Sequence, residues 1–187
     1  MRQVRFSMFR KFAGGLAAVF TAFAASAQDE GAKRADVPAQ VEEWTVVRDD
    51  TNSRISVRTL VPPGRTISDW DVQAREERFK GMGLLLTPSD AADALADRLG
   101  TACTELIAHE PEEKQIGEYA AIFARADCPS LKATGRPLTI MAMAWVEKTD
   151  LQTKQMMFKG TPDAVQIKYA MRFLSTPAKE ITWESDN

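Results

Sequence analysis

The stretch LTIMAMAWVEK, residues 138–148, decides the fold, because an extended chain of this sequence carries apolar side chains on both faces. One face would carry Leu138, Ile140, Ala142, Ala144 and Val146, and the other would carry Met141, Met143 and Trp145. A strand that is apolar on both faces is typical of the interior of a sheet covered on both sides. We therefore predict a central β-strand here and arrange the other elements around it.

The residues that follow predict an antiparallel meander. Thr149-Asp150 forms a tight turn, and the next strand runs from Leu151 to Lys159. After a second turn at residues 160–163, residues 164–174 alternate between apolar and polar side chains, which favours another strand. Its core-facing residues would be Val165, Ile167, Tyr169, Met171 and Phe173. A short C-terminal helix can begin at Thr176-Pro177.

The first half of the chain predicts further strands. Residues 43–49 and 54–61 alternate with period two on either side of a turn cluster at residues 50–53, which indicates a hairpin. Residues 68–80 are compatible with a helix or a strand, and we favour the strand because it gathers apolar side chains on one face. That face would carry Trp70, Val72 and Ala74. Residues 118–128 predict the strand that precedes the central one.

Residues 88–105 predict the main helix. Thr87 and Ser89 are candidate N-terminal caps, and two aspartates in the first turns favour the positive end of the helix dipole. Three- and four-residue spacing predicts an apolar stripe of Ala91, Leu95, Leu99, Ala102, Cys103 and Leu106. The elements together predict an α+β fold. An antiparallel sheet of about six to seven strands, with a C-terminal meander, would pack one face against this main helix and a short C-terminal helix.

The N-terminus carries the three parts of a secretory signal peptide. A basic leader without acidic residues precedes an apolar run from Phe12 to Ala25, which is shorter than the roughly 20 residues of a membrane span. The small-x-small sequence Ala25-Ser26-Ala27 then offers a cleavage site. We predict a signal peptide at residues 1–27 that is cleaved after Ala27. Residues 28–41 would form a flexible N-terminal segment and residues 42–187 a single α+β domain in the periplasm.

The charge balance bears on the class of partner. Without residues 1–27 the chain keeps 20 lysines and arginines against 26 aspartates and glutamates. A dedicated nucleic-acid-binding domain would be expected to carry a basic surplus, so we expect no nucleic-acid partner. No second long apolar run follows the leader, and we expect no membrane span after cleavage.

Cys103 and Cys128 are the only cysteines of the chain. An isolated pair in an oxidising compartment is most simply a disulfide, which here would join the main helix to a strand. A redox-active pair is the alternative, although catalytic cysteines usually lie much closer together in sequence. We predict a structural Cys103–Cys128 disulfide.

His109 is the only histidine, and no nucleophile motif accompanies it. We expect it to lie on the surface or in a loop. Asp69 and Asp71 would share a face of a strand, where two carboxylates could serve a hydrolase. Solvated surface charges are the simpler interpretation of that pair.

Four methionines suggest a copper hypothesis. Thioethers are soft ligands that suit Cu(I), and two methionine pairs lie on predicted strands. They are Met141, Met143, Met156 and Met157. Methionine also fills apolar cores routinely, which is the interpretation we favour. We therefore assign no metal site, no catalytic residue and no cofactor.

Three basic residues form a candidate partner-binding site: Lys154, Lys168 and Arg172. All three would point outward from strands predicted to be neighbours, so they could form a basic stripe on an acidic protein. A solvated sheet face is one explanation, and a docking surface for an acidic protein is the other.

Several short motifs together resemble a family of uncharacterised secreted proteobacterial proteins. The matching residues are LVPPG at 60–64, Trp70, FKG at 79–81, the helix bearing Cys103, GEY at 117–119, Cys128-Pro129, TGRP at 134–137, Lys159-Gly160 and YAMRF at 169–173. The resemblance implies an exported domain with paired cysteines and brings no reaction or active site. The order of elements also resembles the Mog1/PsbP type of domain, which implies an accessory or binding module.

From these observations we expect a non-enzymatic periplasmic binding or accessory protein that acts on an unknown envelope or secreted protein. The alternatives are a periplasmic hydrolase that uses carboxylates and a carrier of a small molecule or of copper.

Overall fold

The structure, a computed structural model, describes residues 41–176. Eight strands form one antiparallel sheet: β1 (Thr45–Thr51), β2 (Ile55–Val61), β3 (Val72–Phe79), β4 (Ile107–Ala108), β5 (Glu112–Ile116), β6 (Tyr119–Cys128), β7 (Leu138–Glu147) and β8 (Asp150–Phe158). Two α-helices accompany them, α1 (Pro88–Ala102) and α2 (Ala164–Ser175), together with 3-10 turns at Val41–Glu43 and Met82–Leu84. The predicted α+β fold is confirmed, with a longer main helix and a shorter helix near the C-terminus.

The strand order is β1-β2-β3-β8-β7-β6-β4, and β5 also pairs with β6. β7 lies between β8 and β6, as the apolar pattern of residues 138–148 predicts. β3 is a strand rather than a helix, which confirms the preference stated for residues 68–80. The short strand β5 was not predicted, because its first four residues are polar or charged and exposed and lack an apolar alternation.

The two helices cover opposite faces of the sheet, so the expectation that both lie on one face was wrong. Leu174 of α2 packs with Met141 of β7, whereas Leu95 of α1 packs in a separate cluster with Ile140. Consecutive residues of a strand point to opposite faces, so these clusters lie on opposite sides of β7. The physical reason lies in β7 itself, since each of its two apolar faces needs its own cover.

Residues 164–174 form a helix, and their prediction as a strand was wrong. Asp163 caps α2 in a capping box with Gln166, since each side chain accepts a hydrogen bond from the other's backbone N–H. Ile167, Ala170 and Leu174 then follow helical spacing into the core. Val165 was predicted to face the core, and this was also wrong, because its side chain is 75% exposed.

The N-terminus of α1 has the cap predicted for it. The Thr87 side chain accepts from the Asp90 backbone N–H, and the Asp90 carboxylate accepts from the Thr87 N–H. At the other end Cys103 is bonded to Cys128 at the end of β6, with the two Cα atoms 5.7 Å apart. The predicted disulfide is therefore present and joins helix to sheet.

Some predictions concern residues outside the described range 41–176. They are the signal peptide at residues 1–27, nearly all of the N-terminal segment 28–41, and the helix placed after Thr176. Between residues 41 and 176, no helix is both long enough and apolar enough to cross a bilayer.

Candidate functional site

Lys154 is buried, so its predicted place on an outward basic stripe was wrong. The residue is 4% exposed, and its Nζ lies 3.2 Å from a carboxylate oxygen of Glu76. The ammonium also donates to the carbonyl oxygen of Thr176 at 3.0 Å and stands 4.6 Å from the centre of the Phe173 ring. The cause is topological, since β8 lies between β3 and β7 under the C-terminal end of α2. Lys154 therefore fastens α2 to the sheet.

A ladder of alternating charge leads from the edge of the sheet to Lys154. The register places Asp49 of β1 opposite Arg58, Arg58 opposite Glu76, and Glu76 opposite Lys154. Oppositely charged neighbours across strands stabilise a sheet, so the ladder contributes to the order of β1, β2, β3 and β8. Sequence reasoning missed it because the four residues belong to four strands whose register was unknown.

Lys168 and Arg172 lie on α2 instead of on a strand, and both are exposed. Residues three and seven positions apart share a helix face, so Val165, Lys168 and Arg172 form one line along α2. We call these three residues the α2 stripe. The stripe combines an exposed apolar side chain with two cations on the outer side of the helix.

On the α1 side of the sheet, Glu77 is the centre of a buried polar cluster. Its carboxylate accepts from the Thr153 hydroxyl at 2.9 Å and from the Gln155 amide at 2.8 Å, and it pairs with Arg75 at 2.7 Å. Three donors satisfy this buried charge, which is the condition for tolerating it. The cluster therefore stabilises the β3–β8 pairing, and the Nε atom of Arg75 is its one buried polar atom that lacks a hydrogen-bond partner among the described residues.

A cavity beside that cluster lies between α1 and the sheet. Its volume is about 20 Å³, and the lining residues include Ala92, Ala142, Ala144, Thr153 and Gln155. A space of this size holds roughly one water molecule. It does not accommodate a small-molecule ligand in the conformation described.

Asp69 and Asp71 do come together, but both share the same arginine. Arg65 approaches the two carboxylates at 3.3 and 2.8 Å, and both aspartates are exposed. Lys159 lies nearby with its ammonium 4.5 Å from the centre of the Trp70 ring. Burial lowers the pKa of Lys159 more than the attraction of Asp71 and Asp69 raises it. The arrangement is a surface ion-pair cluster around a half-buried lysine.

The four methionines do not converge on one point. Met141, Met143 and Met156 are buried in the core beneath α2. Met157 packs on the opposite face with the α1 cluster. Within residues 41–176, no group of three or more His, Cys, Asp or Glu side chains is arranged to hold a metal ion.

His109 is exposed, as predicted, and is also hydrogen-bonded to a carboxylate. Its Nε2 lies 2.6 Å from Oδ2 of Asp127. The same oxygen accepts from Arg125 Nε, and Oδ1 of Asp127 accepts from the Thr139 hydroxyl. Burial alone would raise the pKa of Asp127, but these hydrogen bonds together hold it below its usual value. Sequence reasoning missed the pair because only the pairing of β4 with β6 brings residues 109 and 127 together.

Asp150 provides a test of pH-dependent stability. It accepts from the Gly81 N–H at 2.8 Å and pairs with Arg78 at 2.6 Å. Burial raises its pKa, and the bonds from Gly81 and Arg78 outweigh that effect, so the pKa is lowered. A lowered folded-state pKa stabilises the fold above the unfolded-state value of about 3.9, and this stabilisation is lost as the pH falls through the folded-state pKa.

We therefore expect Asp150→Asn to lower the free energy of unfolding by about 1–3 kcal/mol at pH 7 and by clearly less at pH 2. Urea unfolding at the two pH values measures the difference. Asp97→Asn, at an exposed position of α1, should change neither value by more than about 0.5 kcal/mol. An equal loss for Asp150→Asn at both pH values would contradict the role of its charge.

Comparison with known proteins identifies no family. No family model matches the chain, and none of the curated proteins searched is similar to it. Among solved structures, the chain is similar to a crystal structure of a protein of unknown function from Pseudomonas aeruginosa. That match has a TM-score of 0.44 and 11% identity, and covers 70% of this chain and 90% of the other. A likeness this distant transfers no role.

Proposed function

We propose that this protein is an exported accessory protein of the cell envelope that works by binding another protein. The α2 stripe is the docking surface in this proposal, and an acidic protein segment is its partner. The observation that carries the proposal is the exposed line of Val165, Lys168 and Arg172 along the outer side of α2. Lys154, which is buried against Glu76, has no part in it.

The composition of the stripe suits such a partner. An exposed apolar side chain flanked by cations offers a contact that can be desolvated and a local positive field. The remainder of the chain is acidic on balance, so a partner with clustered carboxylates would be attracted to α2 in preference to other faces. The Cys103–Cys128 disulfide is compatible with export, because such bonds persist in oxidising compartments.

Charge reversal on α2 tests the proposal. We expect Lys168→Glu with Arg172→Glu to weaken binding to the partner at least about tenfold, because like charges would then meet in the contact. The partner would be captured by cross-linking in periplasmic extract, identified, and purified for binding measurements at low and high salt. Both replaced side chains are exposed, so the fold should be unaffected.

The matched control reverses two exposed arginines elsewhere, Arg98→Glu with Arg136→Glu, and so changes the net charge equally. Support requires that the purified partner is acidic, that the α2 variant loses it, and that the control variant retains it. The proposed surface would be refuted if the α2 variant bound the partner as the wild type does, or if both variants lost binding equally.

A further inference from the structure

The loop between β3 and α1 holds two leucines in solvent. Leu84 and Leu85 are 73% and 76% exposed, and they are adjacent in sequence. Single exposed apolar residues are common on protein surfaces, but an exposed pair of this kind is a candidate interaction site. We propose that this loop docks on the anionic surface of a lipid bilayer, with both leucine side chains inserted among the headgroups. The inference does not rest on the α2 stripe, which shares no residue with the loop.

Backbone hydrogen bonds hold this loop against the β7–β8 turn. The Gly81 N–H donates to Asp150 Oδ1 at 2.8 Å, and the Gly83 N–H donates to the Thr149 carbonyl at 2.9 Å. Gly81 has a φ of 71°, and a Cβ at Gly83 would stand 2.6 Å from Cγ1 of Val146. Gly81 thus permits the left-handed backbone conformation, and Gly83 permits the close approach to β7 and the β7–β8 turn. A loop held in its exposed conformation loses little further entropy when it binds.

Two exposed lysines lie on the segments that meet at this loop. Lys80 precedes the loop, and its N–H donates to the carbonyl of Arg54 in the β1–β2 turn. Lys148 lies in the β7–β8 turn, next to Thr149, whose carbonyl accepts the hydrogen bond from the Gly83 N–H. Each lysine or arginine near an anionic bilayer strengthens binding, and apolar side chains inserted at the interface add to it. The loop therefore combines the two contributions that reversible membrane attachment requires.

Most acidic groups near the loop are already engaged. Asp150 pairs with Arg78, Glu147 accepts from Gln152, and Asp90 caps α1. Glu118 in the β5–β6 turn and Asp93 in the second turn of α1 are two further exposed carboxylates, which oppose the attraction. Unlike the α2 stripe, which contains an arginine, this loop presents two adjacent leucines beside lysines, and lysine is the cation in which protein interfaces are depleted. The chemistry favours a lipid surface over a protein.

The test measures co-sedimentation of the full chain with vesicles made of equal parts phosphatidylglycerol and phosphatidylcholine. We expect Leu84→Ser with Leu85→Ser to lower the partition coefficient at least about tenfold, because two exposed leucines lose their apolar burial. Lys80→Glu with Lys148→Glu should also weaken binding to these vesicles, and vesicles of phosphatidylcholine alone should bind less of the wild type. Circular dichroism checks that each variant is folded.

Ile67→Ser is the matched control, because Ile67 is an exposed apolar residue in the β2–β3 loop, at the other end of β3. It should bind as the wild type does. The apolar N-terminal run is common to every variant, so differences between variants report the loop. Unchanged binding by the leucine variant, or an equal loss by the control, would overturn the proposal. The proposal would also be overturned if the wild type did not co-sediment with the anionic vesicles. Protection of both leucines by a bound protein would then identify a protein as the occupant.

Discussion

Lys154→Ala is expected to lower the free energy of unfolding by about 3–5 kcal/mol, the cost of removing one partner of a buried ion pair. The substitution leaves Glu76 without the ammonium that lies 3.2 Å away. It also removes the donor to the Thr176 carbonyl at the end of α2 and the cation over the Phe173 ring. Chemical denaturation of the full chain measures the loss. Partial detachment of α2 should appear as faster amide exchange in residues 164–175.

The matched control is Lys168→Ala, which removes the same side chain from an exposed position of α2. It should change stability by no more than about 0.5 kcal/mol. A second variant, Lys154→Met with Glu76→Leu, should recover most of the loss, because an apolar pair can replace a buried ion pair at little cost. A loss below about 1 kcal/mol for Lys154→Ala would contradict the buried pair described here.

Breaking the Cys103–Cys128 disulfide should have an effect of similar size. The chain-entropy relation for a separation of 25 residues gives about 3.5 kcal/mol. For a domain of this size that loss corresponds to a fall in the melting temperature of roughly 10 °C. The suitable variant is Cys103→Ala with Cys128→Ala, because both positions are buried in an apolar cluster where serine hydroxyls would lack partners.

The control for this prediction is the reducing agent itself. Reduction should destabilise the wild type by the same amount and leave the double-alanine variant unchanged. Thiol titration of unfolded, unreduced protein recovered from the periplasm should find no free thiol, and its mass reports whether residues 1–27 were removed. Two reactive thiols in that material would show that the bond does not form in the cell.

Local sequence patterns were sufficient for much of the fold. The doubly apolar pattern of residues 138–148 predicted β7 at the interior of the sheet. Thr87, one of the two candidate N-terminal caps, marked the beginning of α1, because capping depends only on residues a few positions apart. The α2 error was also local, since the capping box of Asp163 and Gln166 was present in the sequence but was outweighed by an apparent alternation.

The candidate sites depended much more on the tertiary structure. Lys154 was predicted to point outward because its strand was assumed to have one solvent-exposed face. In the structure, β8 is buried on both faces. His109 lies within hydrogen-bond distance of Asp127 only because β4 pairs with β6. The exposure of Leu84 and Leu85 followed from contacts of Gly81 and Gly83 with the β7–β8 turn, which no local pattern indicates.

The sequence by itself determined the class of fold, the central strand, the main helix and the cysteines that join them, because periodicity and capping act over a few residues. The tertiary structure alone decided which charges are buried and which apolar residues stay exposed. Burial and ion pairing depend on strand order and register. These are set by contacts between residues far apart in the chain, such as Glu76 with Lys154, and no short segment encodes them.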